Sequence, residues 1–212
     1  VYHINNGVDL EQFDYNTEHF RVDDPDLDDP NTFKVVYTGS IRKANGLGIL
    51  VDAAKAIRDP RIKILVWGEG DEREELTRRV MEEGLTNIVF KGKVEKKYVP
   101  SIVSRADLNL VHWGEVHLIQ YGVSYNKLFD YMAAGRPIFS TVRPGYSIWE
   151  KYDCGRDTED TRPEPLAHEL EKMAALPPEE LSRLGENARK GAEDYDFRVL
   201  TQKLLNVIGE IE

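Results

Sequence analysis

Asn126, Lys127 and Asp130 fall at spacings of three and four inside YGVSYNKLFDYMAAGRP, the stretch from Tyr121 to Pro137. On a helix such spacings place them on one face. The stretch carries its own punctuation: Ser124 is a fitting N-cap, Gly135 ends the helix and Pro137 seals the stop. Leu128, Phe129 and Met132 supply an apolar side, and Ala133 and Ala134 allow close packing. The first turn holds one lysine and no acid. Free backbone N–H groups, the positive end of the helix dipole and Lys127 together make an anion site. Asp130, one turn deeper, offers acceptor oxygens to sugar hydroxyls while phosphates stay on the N–H groups. A second reading fits the same spacing: a Lys127–Asp130 surface ion pair worth a fraction of a kcal/mol. Periodicity alone weighs the two equally.

Other loops carry weaker signals. In TGSIRKANG, Gly39 lets the backbone approach a ligand, and Ser40, Arg42 and Lys43 are placed to face the same phosphates. The competing reading is an exposed turn with two solvated cations. WGEGDEREEL resembles a dinucleotide fingerprint, yet the third glycine is missing, and Glu69, Asp71 and Glu72 crowd the helix start. Carboxylates there suit the helix dipole and repel a phosphate, so the stretch reads as a helix after a tight turn. His112, His117 and Cys154 match no zinc spacing. There is no Walker lysine and no Gly-x-Ser-x-Gly elbow.

The elements that must position these residues alternate. FKVVYTG, RIKILVWG, NIVFKG, DLNLVHW and RPIFST read as strands, with helical segments between them. From Pro163 onward the chain reads as mostly helical. Such alternation predicts an α/β fold, a doubly wound parallel sheet of Rossmann-like type. In such sheets ligands bind at the carboxyl ends of the strands, where the loops above must meet. Residues 1–32 read as a lead-in segment and an acidic, solvated loop, and residues 33–212 as the α/β domain.

The 212 residues suffice for one domain with a substantial core. A net charge of −10 disfavours a nucleic-acid partner. The single cysteine cannot form an internal disulfide and suits a reducing compartment. No apolar run is long enough for a membrane span, and the opening shows no signal-peptide pattern. The expectation is a cytoplasmic globular domain.

The segments VVYTGSIRKANGLGILVDAAK, ILVWGEGDEREEL, NIVFKGKV, ADLNLV and VSYNKLFDYMAAGRPI, in that order, resemble the C-terminal, donor-binding half of family 4 glycosyltransferases (glycosyl transferases group 1), which have the GT-B fold. INNGVDLEQF resembles the segment leading into that domain. The resemblance implies a retaining transferase that moves a sugar from a nucleotide donor, with UDP the expected nucleotide and no metal required. Helix dipole and basic groups would take the metal's charge-neutralising role. Lys127 and the helix start at Ser124, Tyr125 and Asn126 would meet the diphosphate. Asp130 falls where the family has a glutamate on the ribose hydroxyls, and Val94 falls near the base-contacting backbone.

Three positions depart from the family pattern. The first of its paired glutamates would be Gly122, which leaves Glu115 as a substitute donor-sugar contact. Ser40 stands for the usual arginine and Asn45 for the usual lysine, so Arg42 and Lys43 are the cations left to replace their charge. The resemblance also implies partners: a missing N-terminal domain, and a saccharide or lipid-linked acceptor in surface polysaccharide synthesis. It further implies peripheral association of the full enzyme with the inner membrane face. Val199, Leu200, Leu204, Val207 and Ile211 form an apolar face that suits either this domain's own sheet or the other domain. The rival readings are a sugar-nucleotide epimerase of the same fold and a regulatory domain without donor affinity. A dehydrogenase is a weaker third choice.

Overall fold

Five apolar, β-branched runs become strands: β1 (Phe33–Thr38), β2 (Ile62–Trp67), β3 (Ile88–Gly92), β4 (Leu108–Val111) and β5 (Ile138–Ser140). The structure, a computed structural model, describes residues 2–114 and 125–210. A sixth strand, β6 (Gly155–Asp157), joins the edge. All pairings are parallel, in the order β3-β2-β1-β4-β5-β6. Val35, Val36 and Tyr37 of β1 are fully buried, as a central strand covered on both faces requires. This is the doubly wound sheet that the alternation predicts.

The helices divide between the two faces. α2 (Gly48–Ala56), α3 (Arg73–Glu82) and α7 (Pro163–Ala174) share one core with Val35, Tyr37, Ile64 and Leu110. On the other face lie α1 (Leu10–His19), α4 (Val99–Ser104), α5 (Asn126–Ala133), the short α6 (Ile148–Lys151) and α8 (Pro178–Glu193), packed on Val36, Leu65 and Val111. Among the described residues no helix is long and apolar enough to cross a membrane.

Two expectations need correction, and one open alternative is narrowed. The acidic block is not a solvated loop throughout. Asp9 caps α1 by accepting from Gln12 N–H at 2.9 Å, and Phe13 buries itself under the helix. Beyond α1 the acids are tied down: Lys91 bridges Asp24 and Asp26, Arg105 holds Asp28 at 2.7 Å, and Leu27 is buried. Opposite charges on β3 and just past the end of α4 turn an acidic stretch into a strap. Second, α5 begins at Asn126 with Tyr125 as its N-cap, and no side chain caps it; Ser124 lies outside the described residues. Of the two readings left open for the last helix, α9 (Phe197–Gly209) does not follow the one that packs its apolar face on this domain's own sheet. Leu200 is buried, whereas Leu204 and Ile208 are 45% and 47% exposed. Ile211 lies outside the described residues.

The lead-in strand meets the end of the chain. Val8 N–H donates to Tyr195 O at 3.0 Å and Phe197 N–H to Val8 O at 2.9 Å.

Candidate binding site at the switch point

The order of strands reverses between β1 and β4, and the two part company after Val36 and Asn109. At Thr38 the backbone N–H of β1 donates to the buried Tyr131 hydroxyl of α5 at 2.9 Å instead of to a strand. This wedge opens the crevice where α/β sheets bind ligands, and it brings the start of α5 against the end of β1.

Lys127 occupies that junction. Its ammonium sits 3.9 Å from the centroid of the Tyr37 ring. A Cβ added to Gly39 would lie 2.6 Å from Lys127 Nζ, so the two are immediate neighbours, and the φ of +153° at Gly39 suits glycine. The surface ion pair with Asp130 does not form: among the described residues Lys127 has no carboxylate partner. Burial lowers its pKa to about 7. Lys127 is a half-buried cation in the first turn of a helix that carries no acid in that turn, so its charge and the helix dipole have the same sign.

Gly39, Ser40 and Val94 line one cavity of about 450 Å³ with Trp67, Lys93 and Lys96. Gly68 and Glu69 form its wall toward α3. Tyr37 OH donates to Ser40 O at 3.0 Å and fixes the turn after β1. Arg42 and Lys43 are exposed on the next turn and do not line this cavity. Tyr125 is half-buried and stacks on Trp113 with centroids 4.4 Å apart. Asn126 accepts from the Asn6 side chain of the lead-in.

Asp130 lines a neighbouring cavity of about 350 Å³ with Asn126 and Lys96. Lys96 therefore borders both cavities. Burial raises the Asp130 pKa to about 6, against the opposing pull of Lys96. Glu115 and Gly122 lie outside the described residues, as does His117.

Three side chains escape sequence reasoning. Tyr37 and Tyr131 look like core aromatics in apolar runs, and their hydroxyls and ring edges reveal a role only once β1 meets α5. Lys96 had a usable signal, since KGKVEKK sets three lysines directly after a strand. His112 is buried between two loops. Its Nε2 faces Gly46 O at 3.2 Å, a carbonyl that can only accept, so Nε2 carries the proton. Its Nδ1 then accepts from Thr141 Oγ1 at 2.8 Å. Burial lowers the His112 pKa to about 4 and keeps the ring neutral. Cys154 is buried and its pKa is raised to about 12. Among the described residues no three His, Cys, Asp or Glu side chains converge as a metal site.

Comparison with known proteins gives the family and the fold. Residues 32–175 match the family model described as glycosyl transferases group 1. WcaI of Escherichia coli K12, named for colanic acid biosynthesis, is 28% identical over 86 residues, 40% of this chain and 21% of its own length. HepE from Anabaena, solved in complex with UDP, is 17% identical with a TM-score of 0.75, over 98% of this chain and 57% of that one. A Rickettsia africae glycosyltransferase gives 15% identity and a TM-score of 0.77, over 98% and 56%. The C-terminal domain of LpcC from Francisella tularensis, a group 1 family protein, gives 18% identity and a TM-score of 0.65, over 88% of this chain and 97% of that one. The chain thus spans about half of the longer structures and has the fold of the C-terminal half of a GT-B protein. Because the family model covers most of the sheet and the crevice described above, the chain belongs to the glycosyl transferases group 1 family.

Proposed function

We propose that this chain is the donor-binding domain of a retaining glycosyltransferase, that it binds a UDP-linked hexose, and that the diphosphate rests on Lys127 and the start of α5. One observation carries the reading: a half-buried ammonium without a carboxylate partner faces an acid-free helix start in the switch-point crevice. The Gly39–Ser40–Val94 cavity beside it has the size of a nucleoside pocket, and Asp130 supplies acceptors for ribose hydroxyls. HepE, which shares the fold, was solved with UDP. No metal enters this reading, because the helix end and Lys127 supply the positive charge that the leaving diphosphate needs.

The acceptor, a saccharide or lipid-linked sugar at the inner face of the membrane, would meet the donor across a second, N-terminal domain. The exposed apolar side of α9 supports such a neighbour, and so does the chain's coverage of about half of its structural relatives. The name of WcaI supports surface polysaccharide synthesis. The scaffold reading draws on buried Asn45, which cannot reach a phosphate as a lysine would.

Calorimetric titration with UDP, pyrophosphate and inorganic phosphate tests this function. UDP should bind more tightly than phosphate by about tenfold or more, the worth of one or two added polar contacts. Equal binding reduces the crevice to a generic anion hole, and absence of heat favours the scaffold. Transfer of sugar by the 212-residue chain alone would overturn the half-enzyme reading.

A further inference from the structure

We infer that Trp113 is a positioning residue for the diphosphate: it fixes the start of α5 by stacking on the N-cap residue, and its neighbours His112 and Gly114 hold it in place to do so. This rests on the donor-binding function proposed above.

The need arises in α5 itself. The first N–H groups of a helix have no partner within it, and an N-cap side chain ordinarily takes one of them. The N-cap here is Tyr125, and its side chain makes no such bond. The N–H groups are left to a ligand, and the helix loses the contact by which it would fix its own first turn. Something outside the helix has to supply that contact. Trp113 does: its ring lies on the Tyr125 ring with centroids 4.4 Å apart and planes 11° from parallel. Stacking gives two flat rings a preferred relative placement.

Trp113 is itself fixed from both sides. His112 before it is buried. It donates from Nε2 to Gly46 O at 3.2 Å and accepts at Nδ1 from Thr141 Oγ1 at 2.8 Å. Gly114 after it lies against the same turn as Gly46, since a Cβ there would fall 2.5 Å from Ala44 O. Ala44 and Gly46 follow β1, Thr141 follows β5, and Tyr125 precedes α5. Three consecutive residues therefore tie the exit of β4 to the turn after β1, to the end of β5 and to the start of α5. The helix start is referenced through them to β1, the strand that sets the Tyr37 ring beside the Lys127 ammonium. Trp113 supplies the link to the helix, and it acts through Tyr125.

Two ligands test this by calorimetry: UDP, and pyrophosphate, which has no nucleoside to occupy the Gly39–Ser40–Val94 cavity. Trp113→Ala should weaken both by the same factor, about tenfold. Trp113→Phe keeps a ring to stack and should recover most of the loss. Trp113 is half-buried, so its replacement should leave urea unfolding cooperative; if Trp113→Ala does not fold, Tyr125→Leu breaks the same stack from the other side and is read in the same way. Equal UDP affinity of wild type and Trp113→Ala overturns the positioning role alone. So does a Trp113→Phe protein as impaired as Trp113→Ala, or a loss confined to UDP with pyrophosphate unaffected, which would put Trp113 at the nucleoside. Failure of wild type to bind UDP overturns the donor function, and this role with it.

Discussion

β1 has two neighbours in the sheet, and the helices that follow them begin in opposite electrical states. After β2, α3 opens with Glu74 and Glu75 in its first turn. After β4, α5 opens with Lys127 and no acid. The first helix satisfies its own dipole; the second leaves its positive end for something else. The glycines before α3 have a structural explanation. A Cβ on Gly68 would fall 1.8 Å from Gly39 O, and one on Gly70 would fall 2.2 Å from Ile41 O. Ile41 N–H donates to Glu69 O at 3.0 Å and Glu72 N–H to Ile41 O at 3.1 Å. Here Gly-x-Gly lets two loops lock together, and no phosphate is needed to account for it. A glycine pair at a strand end and a helix start are therefore not equivalent evidence for an anion; the charge of the first turn separates them.

The largest effect should come from breaking the lock that supports both helix starts. Gly68→Ala drives a methyl group into the Gly39 carbonyl, and backbone must move to relieve it. We expect a loss of about 3 kcal/mol, read as a lower urea midpoint, and weaker UDP binding because Gly39 shifts under Lys127. Retention of wild-type stability would mean that the two loops are not locked.

Replacing the cation itself should separate stability from function. Lys127→Met removes a half-buried charge that, among the described residues, has the Tyr37 ring and no carboxylate beside it. UDP affinity should fall by about tenfold or more, since a charge-assisted contact is worth about 1.5–3 kcal/mol. Folding stability should rise by about 1 kcal/mol, the lost cation–π contact offsetting part of the gain. The sign of its pH dependence follows from the lowered pKa. The cost of the charge is absent above about 10.5, grows as pH falls toward about 7, and is complete below that. The mutant's advantage should therefore be greatest at pH 6 and vanish in strong base. Loss of stability at pH 6 would show that Lys127 is not an unmet charge.

Titration offers a subtler contrast. A bound diphosphate should restore the Lys127 proton, so UDP binding at pH 8 should take up protons, seen as heat that varies with buffer ionisation enthalpy. UDP affinity should decline above about pH 7, where free Lys127 loses its proton, and again below about pH 6, where Asp130 gains one. Stability moves the other way at the acid limb: the cost of an ionised Asp130 appears as pH rises from about 3.8 to about 6. Binding without proton uptake would place the phosphate elsewhere.

Legibility in the sequence follows the same physics. The first five strands are written as apolar runs because they are buried. β6 reads GRD and is invisible to pattern, since it joins through its backbone: a Cβ on Gly155 would fall 2.3 Å from Ile138 O. α1 is hidden because one buried residue, Phe13, anchors it within acidic sequence. At the site, residue types along α5 suggested the anion-binding face proposed above. What they could not announce is the partner of Lys127. Tyr37 lies in a distant strand, and only the crossing of β1 and α5 brings ring and ammonium together. Arg42 and Lys43 show the converse: cations adjacent in sequence to Gly39 point their turn to solvent.

The smallest effect is the sharpest test, because it gives α5 a first turn like that of α3. Asn126→Asp keeps the shape and the oxygen that accepts from Asn6, so packing should be unchanged. It places a carboxylate at the first residue of the helix, where the dipole favours it by about 0.3–1 kcal/mol. Melting temperature should rise slightly. The same charge then competes with the ligand for the helix end and for Lys127, and UDP affinity should fall by about threefold to tenfold. If the crevice instead binds through side chains away from the helix start, Asn126→Asp should raise stability and leave affinity untouched. That outcome would move the anion off α5 and end the contrast between the two helix starts.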